Sequence, residues 1–173
     1  HSAGGGVTLT DTLVTGCEAG LKIVDTYQTT IDLGNSVIRG NLTGIDVYGG
    51  SAGNRILNGA VQNNAGDGIR VEGSDDTPDD NHFTGISVSG NAGNGIIIYD
   101  GTGNAISGCR VTGNNTDEKA YGGIAVLAGG TTVTGNVIEN NRCLGVFADD
   151  ALSTEPVDAA YNWWGHISGP SGE

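Results

Sequence analysis

Gly44-Ile45-Asp46-Val47, Gly68-Ile69-Arg70-Val71 and Gly95-Ile96-Ile97-Ile98 are three copies of one pattern, glycine followed by aliphatic-x-aliphatic. Three more copies flank them: Gly20-Leu21-Lys22-Ile23, Gly123-Ile124-Ala125-Val126 and Gly145-Val146-Phe147-Ala148. The intervals between successive glycines are 24, 24, 27, 28 and 22 residues. A period of 20 to 50 residues is the mark of a repeat architecture, in which each unit buries its apolar face only against its neighbours.

A second motif runs between the copies, an alternating apolar strand that ends in Gly-Asn or Asn-Asn. It reads Val37-Ile38-Arg39-Gly40-Asn41, Val61-Gln62-Asn63-Asn64, Val88-Ser89-Gly90-Asn91, Val111-Thr112-Gly113-Asn114 and Ile138-Glu139-Asn140-Asn141. A weaker third strand precedes it, around Ile31, Ile56, Phe83, Ile106 and Val133. Each coil thus holds three strands too short to be stable alone. Stacked coil on coil, each gains parallel neighbours at about 4.8 Å. Alternation places Ile45 and Val47 inside and Asp46 outside, in the same register from coil to coil. The expected fold is all-β: a single-stranded right-handed parallel β-helix of about six to seven coils with three short strands per coil. Asn41, Asn64, Asn91, Asn114 and Asn141 are expected to stack at one corner, where Asn tolerates a left-handed backbone. The Leu-x-x-Leu-x-Leu frame of a leucine-rich repeat is absent, and a β-sandwich would not keep this period.

The 173 residues suit one domain. Residues 1–16 read as a degenerate first coil with an N-terminal lead, 17–158 as regular coils and 159–173 as a C-terminal capping segment. The 32 glycines show no Gly-X-Y period, and only 3 prolines accompany them, so they belong to turns rather than to collagen or disorder. A net charge of −13 argues against nucleic acid or anionic membranes as partners. No apolar window approaches the length of a transmembrane span. The start at His1-Ser2-Ala3, without Met, fits a processed chain. Cys17, Cys109 and Cys143 lack metal-site spacing; Cys109 falls at an inward position and is expected to be a packed thiol.

The chain closes in Tyr161-Asn162-Trp163-Trp164-Gly165-His166-Ile167-Ser168-Gly169-Pro170. This stretch resembles the Asn-Trp-Trp-Gly…Ser-Gly-Pro segment that ends many secreted or surface right-handed β-helix domains of the pectate-lyase-like fold. The resemblance implies an extracellular or cell-surface protein. It does not select an activity, since that superfamily holds lyases, epimerases, hydrolases, adhesins and structural proteins. Trp163 and Trp164 are expected to cap the last coil rather than form a sugar-stacking platform.

Polysaccharide cleavage on that fold occurs beside the Gly-aliphatic-x-aliphatic strand. The outward residues there begin with Lys22, Asp46 and Arg70, expected on consecutive coils. A lyase could use Arg or Lys as base; the simpler account is a salt ladder. The acidic loop Glu72-Gly73-Ser74-Asp75-Asp76-Thr77-Pro78-Asp79-Asp80-Asn81 offers Asp75, Asp76, Asp79 and Asp80 as candidate Ca²⁺ ligands, although its spacing matches no calcium loop. His82 and His166 are too scattered for a metal site.

Further along the same outward rows stand Ile97, Tyr99, Ala125, Leu127 and Phe147. They are expected either to form an exposed apolar interface or to be covered by the terminal tail or by the insertion at 115–122. Val7 and Leu9 lie on a first strand whose free edge could pair with a second copy. The leading expectation is a non-enzymatic extracellular structural or adhesive protein that self-associates, head-to-tail into a filament in the extreme. The alternative is a carbohydrate-active or carbohydrate-binding β-helix acting on acidic glycans.

Overall fold

The structure, a computed structural model, describes residues 5–73, 76–118, 120–149 and 155–165. The described residues form three parallel six-stranded sheets and no helix. Sheet A stacks β1 (Gly6–Thr8), β4 (Thr30–Asp32), β7 (Arg55–Leu57), β10 (His82–Thr84), β13 (Ala105–Ser107) and β16 (Thr132–Thr134). Sheet B stacks β2 (Leu13–Val14), β5 (Val37–Arg39), β8 (Ala60–Gln62), β11 (Ser87–Ser89), β14 (Arg110–Thr112) and β17 (Val137–Glu139). Sheet C stacks β3 (Ala19–Val24), β6 (Thr43–Tyr48), β9 (Ile69–Glu72), β12 (Ile96–Ile98), β15 (Gly122–Val126) and β18 (Leu144–Ala148). This is a parallel β-solenoid of about six turns.

The register follows the repeat. Ile45 pairs with Ile69, Ile69 with Ile96, Ile96 with Ile124 and Ile124 with Val146, at the same spacing as the glycine motif. The inward rows, such as Ile45, Ile69, Ile96 and Ile124, are wholly buried in one continuous core with Phe83, Ile56 and Ile106 of sheet A. Each such isoleucine contributes about 2 kcal/mol of burial. A three-residue strand survives only because that column is shared.

The expected asparagine stack is present. Oδ1 of Asn64, Asn91, Asn114 and Asn141 each accepts the backbone N–H of the ladder asparagine one coil earlier, at 3.0 to 3.1 Å. Each also accepts that residue's side-chain amide, at 2.9 to 3.2 Å. In the first coil Cys17 takes the corner, its N–H donating to Asn41 Oδ1 at 3.0 Å. One detail differs from expectation. The left-handed residue is the one before each ladder asparagine: Gly40, Asn63, Gly90, Gly113 and Asn140, with φ from 52° to 65°. The ladder asparagines themselves must keep their amides in line along the axis.

Two further stacks stand at the other corners. Thr29, Asn54, Asn81 and Asn104 form one, each backbone N–H donating to the next Oδ1 at 3.0 to 3.2 Å. It stops at Thr131, and there Asn104 Nδ2 and Thr131 Oγ1 are buried without a partner. The third includes Cys109, Asn136 and Asn162, with Cys109 N–H donating to Asn136 Oδ1 at 2.8 Å and Asn136 N–H to Asn162 Oδ1 at 2.9 Å. The broken stack is repairable. A Thr131→Asn chain supplies the missing acceptor at nearly unchanged side-chain volume. It should gain about 1 kcal/mol, read as a melting temperature about 3 °C higher; an unchanged or lower value would mean the corner has no room for the amide.

Cys109 is buried, and desolvation pushes its thiol up to about 11. Cys17 and Cys143 are exposed and free.

At the leading end β1 and β2 pair in register with β4 and β5, so the expected degenerate segment still builds strands. Val7 is exposed, whereas Leu9, grouped with it as an edge residue, is half-buried against the core. At the far end single bridges join Thr132 to Asp158 and Val137 to Trp163. Consecutive side chains on an extended segment point to opposite sides. Trp164 therefore packs against the core, within 3.4 Å of where a Cβ on Gly145 would stand. Trp163 is 48% exposed, which corrects the expectation that both rings cap. The Ser168-Gly169-Pro170 part of the closing motif lies outside the described residues.

Candidate functional site

The outward face of sheet C begins as a charged row. Lys22, Asp46 and Arg70 stand on adjacent coils. Asp46 is only 2% exposed and holds both cations: Lys22 Nζ at 3.5 Å from Oδ2 and Arg70 Nε at 3.0 Å from Oδ1. Arg70 Nε also lies 3.5 Å from Glu72 Oε2, and Lys22 Nζ sits 5.2 Å from the centre of the Tyr48 ring. The hydrogen bond from Arg70 to Asp46 leads the causes that raise the guanidinium pKa above its ordinary value. A proton-abstracting base needs the opposite shift. The row therefore acts as a closed ion-pair ladder. Removing the closer of its two cations leaves a nearly buried carboxylate with only Lys22, so Arg70→Ala should lose about 2 kcal/mol in a urea titration; a loss below about 0.5 kcal/mol would place the pair in the weak class of exposed bridges.

Of the two expectations for the rest of the face, an exposed apolar patch or a covered one, the structure shows the covered one. Ile97 and Ala125 are wholly buried, and Leu127 is 9% exposed. Phe147 packs against them. The ring of Tyr121, at the end of the 115–122 insertion, stacks on Phe147 with centroids 4.2 Å apart and planes at 7°. Asn115 closes that insertion by donating to Ala120 O at 2.9 Å and accepting from Ala120 N–H at 3.0 Å. Only Tyr99, at 38%, remains well exposed from the proposed set on this face.

Two grooves adjoin on the rim of sheet C. The first, about 450 Å³, lies over Lys22, Asp46 and Arg70 and is walled by Glu18, Thr43 and Asp67. The second, about 590 Å³, is bounded by Asp67, Asn94, Tyr99, Asp117 and Tyr121. Gly66 and Asp67 belong to both. Asp67 Oδ1 accepts the backbone N–H of Asn94 at 2.8 Å and its side-chain amide at 3.0 Å. Asn94 Oδ1 in turn accepts the N–H groups of Tyr121 and Gly122 at 2.9 and 3.0 Å. Nothing in the repeat motifs marks these residues, because they sit in the turn ahead of each copy.

Burial is the largest influence on Asp67 and raises its pKa, against the lowering effect of the Asn94 bonds. A carboxyl whose folded pKa lies above its unfolded value stabilises the fold fully below the unfolded value. That contribution is lost as pH rises through the folded pKa. Asp67→Asn keeps the acceptor oxygen and removes the charge. Its melting temperature should exceed that of the parent at pH 7 and equal it near pH 3; the reverse order would show that ionised Asp67 is favoured in place.

The described part of the candidate calcium loop is held by hydrogen bonds of its own. Asp79 accepts from Thr77 Oγ1 at 3.0 Å and from Thr102 N–H at 2.7 Å, which ties the loop to the next turn. Asp100 accepts the Gly73 N–H at 3.1 Å. Asp75 lies outside the described residues. Among those described, including Asp76 and Asp80, no three acidic, His or Cys side chains are placed to hold a metal ion. Nor is any helix among them long and apolar enough to cross a membrane.

Three parallel sheets wound in one solenoid, with a groove along one face, define a β-helix repeat domain. Residues 19–156 match the family model described as right handed beta helix region, and the chain belongs to that family. No curated protein and no solved structure is significantly similar to it.

Proposed function

We propose that the chain is a non-enzymatic, extracellular adhesive β-helix that binds glycan in the double groove on sheet C. The observation that carries this reading is the pair of adjoining clefts that share Asp67, with Tyr99 and Tyr121 exposed along them. Ligand sites combine such aromatic faces with a few placed polar groups. The non-enzymatic part rests on the charged row: Asp46 is saturated by Lys22 and Arg70, and Arg70 is held protonated. The test is retention on a panel of immobilised polysaccharides, with unsaturated products followed in the ultraviolet and reducing ends assayed in parallel. Retention without product is expected. Sustained product formation would overturn the non-enzymatic reading, and absence of retention on every polysaccharide would overturn the adhesive one.

A second reading, end-to-end self-association, draws on exposed apolar side chains present at both ends, in addition to Leu42, Tyr99 and Tyr121 along the length. Val7, Leu13, Val24 and Tyr27 belong to the first coil, and Leu144, Tyr161 and Trp163 to the last. β1, β2 and β3 each have one partner strand among the described residues, and a free strand edge invites another chain. A second copy on these ends would give a head-to-tail, non-closing assembly. Light scattering over a wide concentration range, with electron microscopy, tests it. A monomer throughout would end the idea.

A further inference from the structure

The second groove has a chemistry of its own. Tyr99 and Tyr121 are 38% and 39% exposed, and both border it. Tyr121 is not a loose surface ring: Phe147 stacks on it, and Phe147 is seated on buried Ile97, Ala125 and Leu127. Its backbone N–H is also tied to Asn94 Oδ1. One ring face is thus occupied and the plane is fixed, so little order remains to be lost when a ligand meets the other face. The polar group is prepared in the same way, because Asn94 holds Asp67 Oδ1 through two hydrogen bonds. Along the rim stand Gly66, Ala92 and Gly93, whose small side chains let a ligand approach the backbone.

Charge decides the kind of ligand. Asp67 and Asp117 border this groove, and no Lys or Arg does so among the described residues. The nearest cation of the adjoining groove, Arg70, is bound to Asp46 and Glu72. An anionic sugar would face the Asp67 carboxyl with no Lys or Arg bordering this groove among the described residues, and like charges in a partly desolvated cleft repel. A neutral pyranose has no such conflict. Its C–H faces suit tyrosine rings, and its hydroxyls suit a carboxyl acceptor.

We propose that the cleft bounded by Tyr99, Tyr121, Asp67 and Asn94 is a subsite for an uncharged sugar unit of a glycan chain. The two tyrosine rings take the apolar faces of the sugar and Asp67 accepts its hydroxyl protons. This inference rests on the glycan-binding reading above and replaces the acidic glycan suggested by the sequence with a neutral one.

The test is calorimetric titration of the full chain with cellohexaose, xylohexaose and mannohexaose, and with hexagalacturonate and alginate hexamers, at low and high salt. Binding of at least one neutral oligosaccharide, insensitive to salt, is expected. Tyr99→Ala and Tyr121→Ala should each weaken it about tenfold, while the distant Tyr161→Ala keeps it. Chemical shifts of the Tyr99 and Tyr121 rings should move with the same ligand in the unaltered chain, a readout that stands if an alanine variant fails to fold. Salt-sensitive binding of the uronate oligomers alone would overturn the neutral subsite and leave glycan binding intact. Neutral binding that leaves both tyrosines unperturbed would overturn the placement. No binding of any probe would remove both.

Discussion

An Asn91→Ala chain is expected to lose about 4 kcal/mol of folding free energy, a large share of the total for a domain this size. Asn91 Oδ1 accepts the Asn64 backbone N–H at 3.0 Å and the Asn64 amide at 2.9 Å. Its own amide donates to Val61 O at 3.2 Å and to Asn114 Oδ1 at 2.9 Å. All three asparagines are buried, so water cannot take over the lost bonds. Removing one side chain strips the Asn64 N–H of its acceptor and takes a donor from both Val61 and Asn114. Each buried group so deprived costs about 1 to 3 kcal/mol. Asn41→Ala is the comparison. Asn41 Oδ1 serves the Cys17 N–H beside the exposed first coil, where solvent can substitute, so its loss should be roughly half as large. Urea titrations of both chains measure the difference. Equal losses below about 1 kcal/mol would show that the stack adds geometry without energy.

A solenoid gives that prediction a second signature. Each coil touches only its neighbours, so stability is a sum of coil and interface contributions. A defect at Asn91, midway along the axis, weakens the contact between two halves of similar length. The unfolding transition should therefore broaden or split, which a defect at the Asn41 end would not produce.

The fold features legible in the sequence share one property: they recur from coil to coil. The spacing of Gly44, Gly68 and Gly95 gave the sheet C register directly, and Asn64, Asn91 and Asn114 located one corner. The second and third corner stacks were harder to see because their positions change occupants. Thr29 and Thr131 bracket Asn54, Asn81 and Asn104, while Cys109 shares its stack with Asn136. The burial of Ile97 and Ala125 was undetermined for another reason. Their cover includes Phe147 with Tyr121 stacked on it, and Tyr121 arrives from an insertion present in one coil only. The same holds for the groove. Asp67 and Asn94 occupy one turn position on adjacent coils, but a turn carries no apolar alternation to mark which side chains meet. Periodicity reports the scaffold; binding surfaces come from its exceptions.

Gly68→Ala should be as damaging as the loss of Asn91, about 4 kcal/mol, although it adds one methyl group to a residue of ordinary negative φ. The cause is space. A Cβ there would stand 2.6 Å from Gly95 O, 2.7 Å from Asn91 Nδ2 and 2.7 Å from Val88 Cγ1. The first is backbone of the next coil and the second is a rung of the asparagine ladder, so neither yields without breaking hydrogen bonds. The equivalent glycine one coil on is held the same way, with a Cβ at Gly95 meeting Gly123 O at 2.6 Å and Asn114 Nδ2 at 2.8 Å. The first five copies of the motif therefore start with glycine because the strand passes beneath the asparagine amide of the next coil. Gly113 provides the contrast. Its φ is +64° and nothing stands within 4 Å, so Gly113→Ala should cost only about 1 kcal/mol of backbone strain. Gly113→Asn should cost less still, since Asn63 and Asn140 already hold that position at φ of 52° and 56°. Melting the three chains side by side separates steric exclusion from backbone strain. If Gly68→Ala melted no lower than Gly113→Ala, the tight approach between coils would have to be soft, and the repeat would owe its glycines to something other than packing.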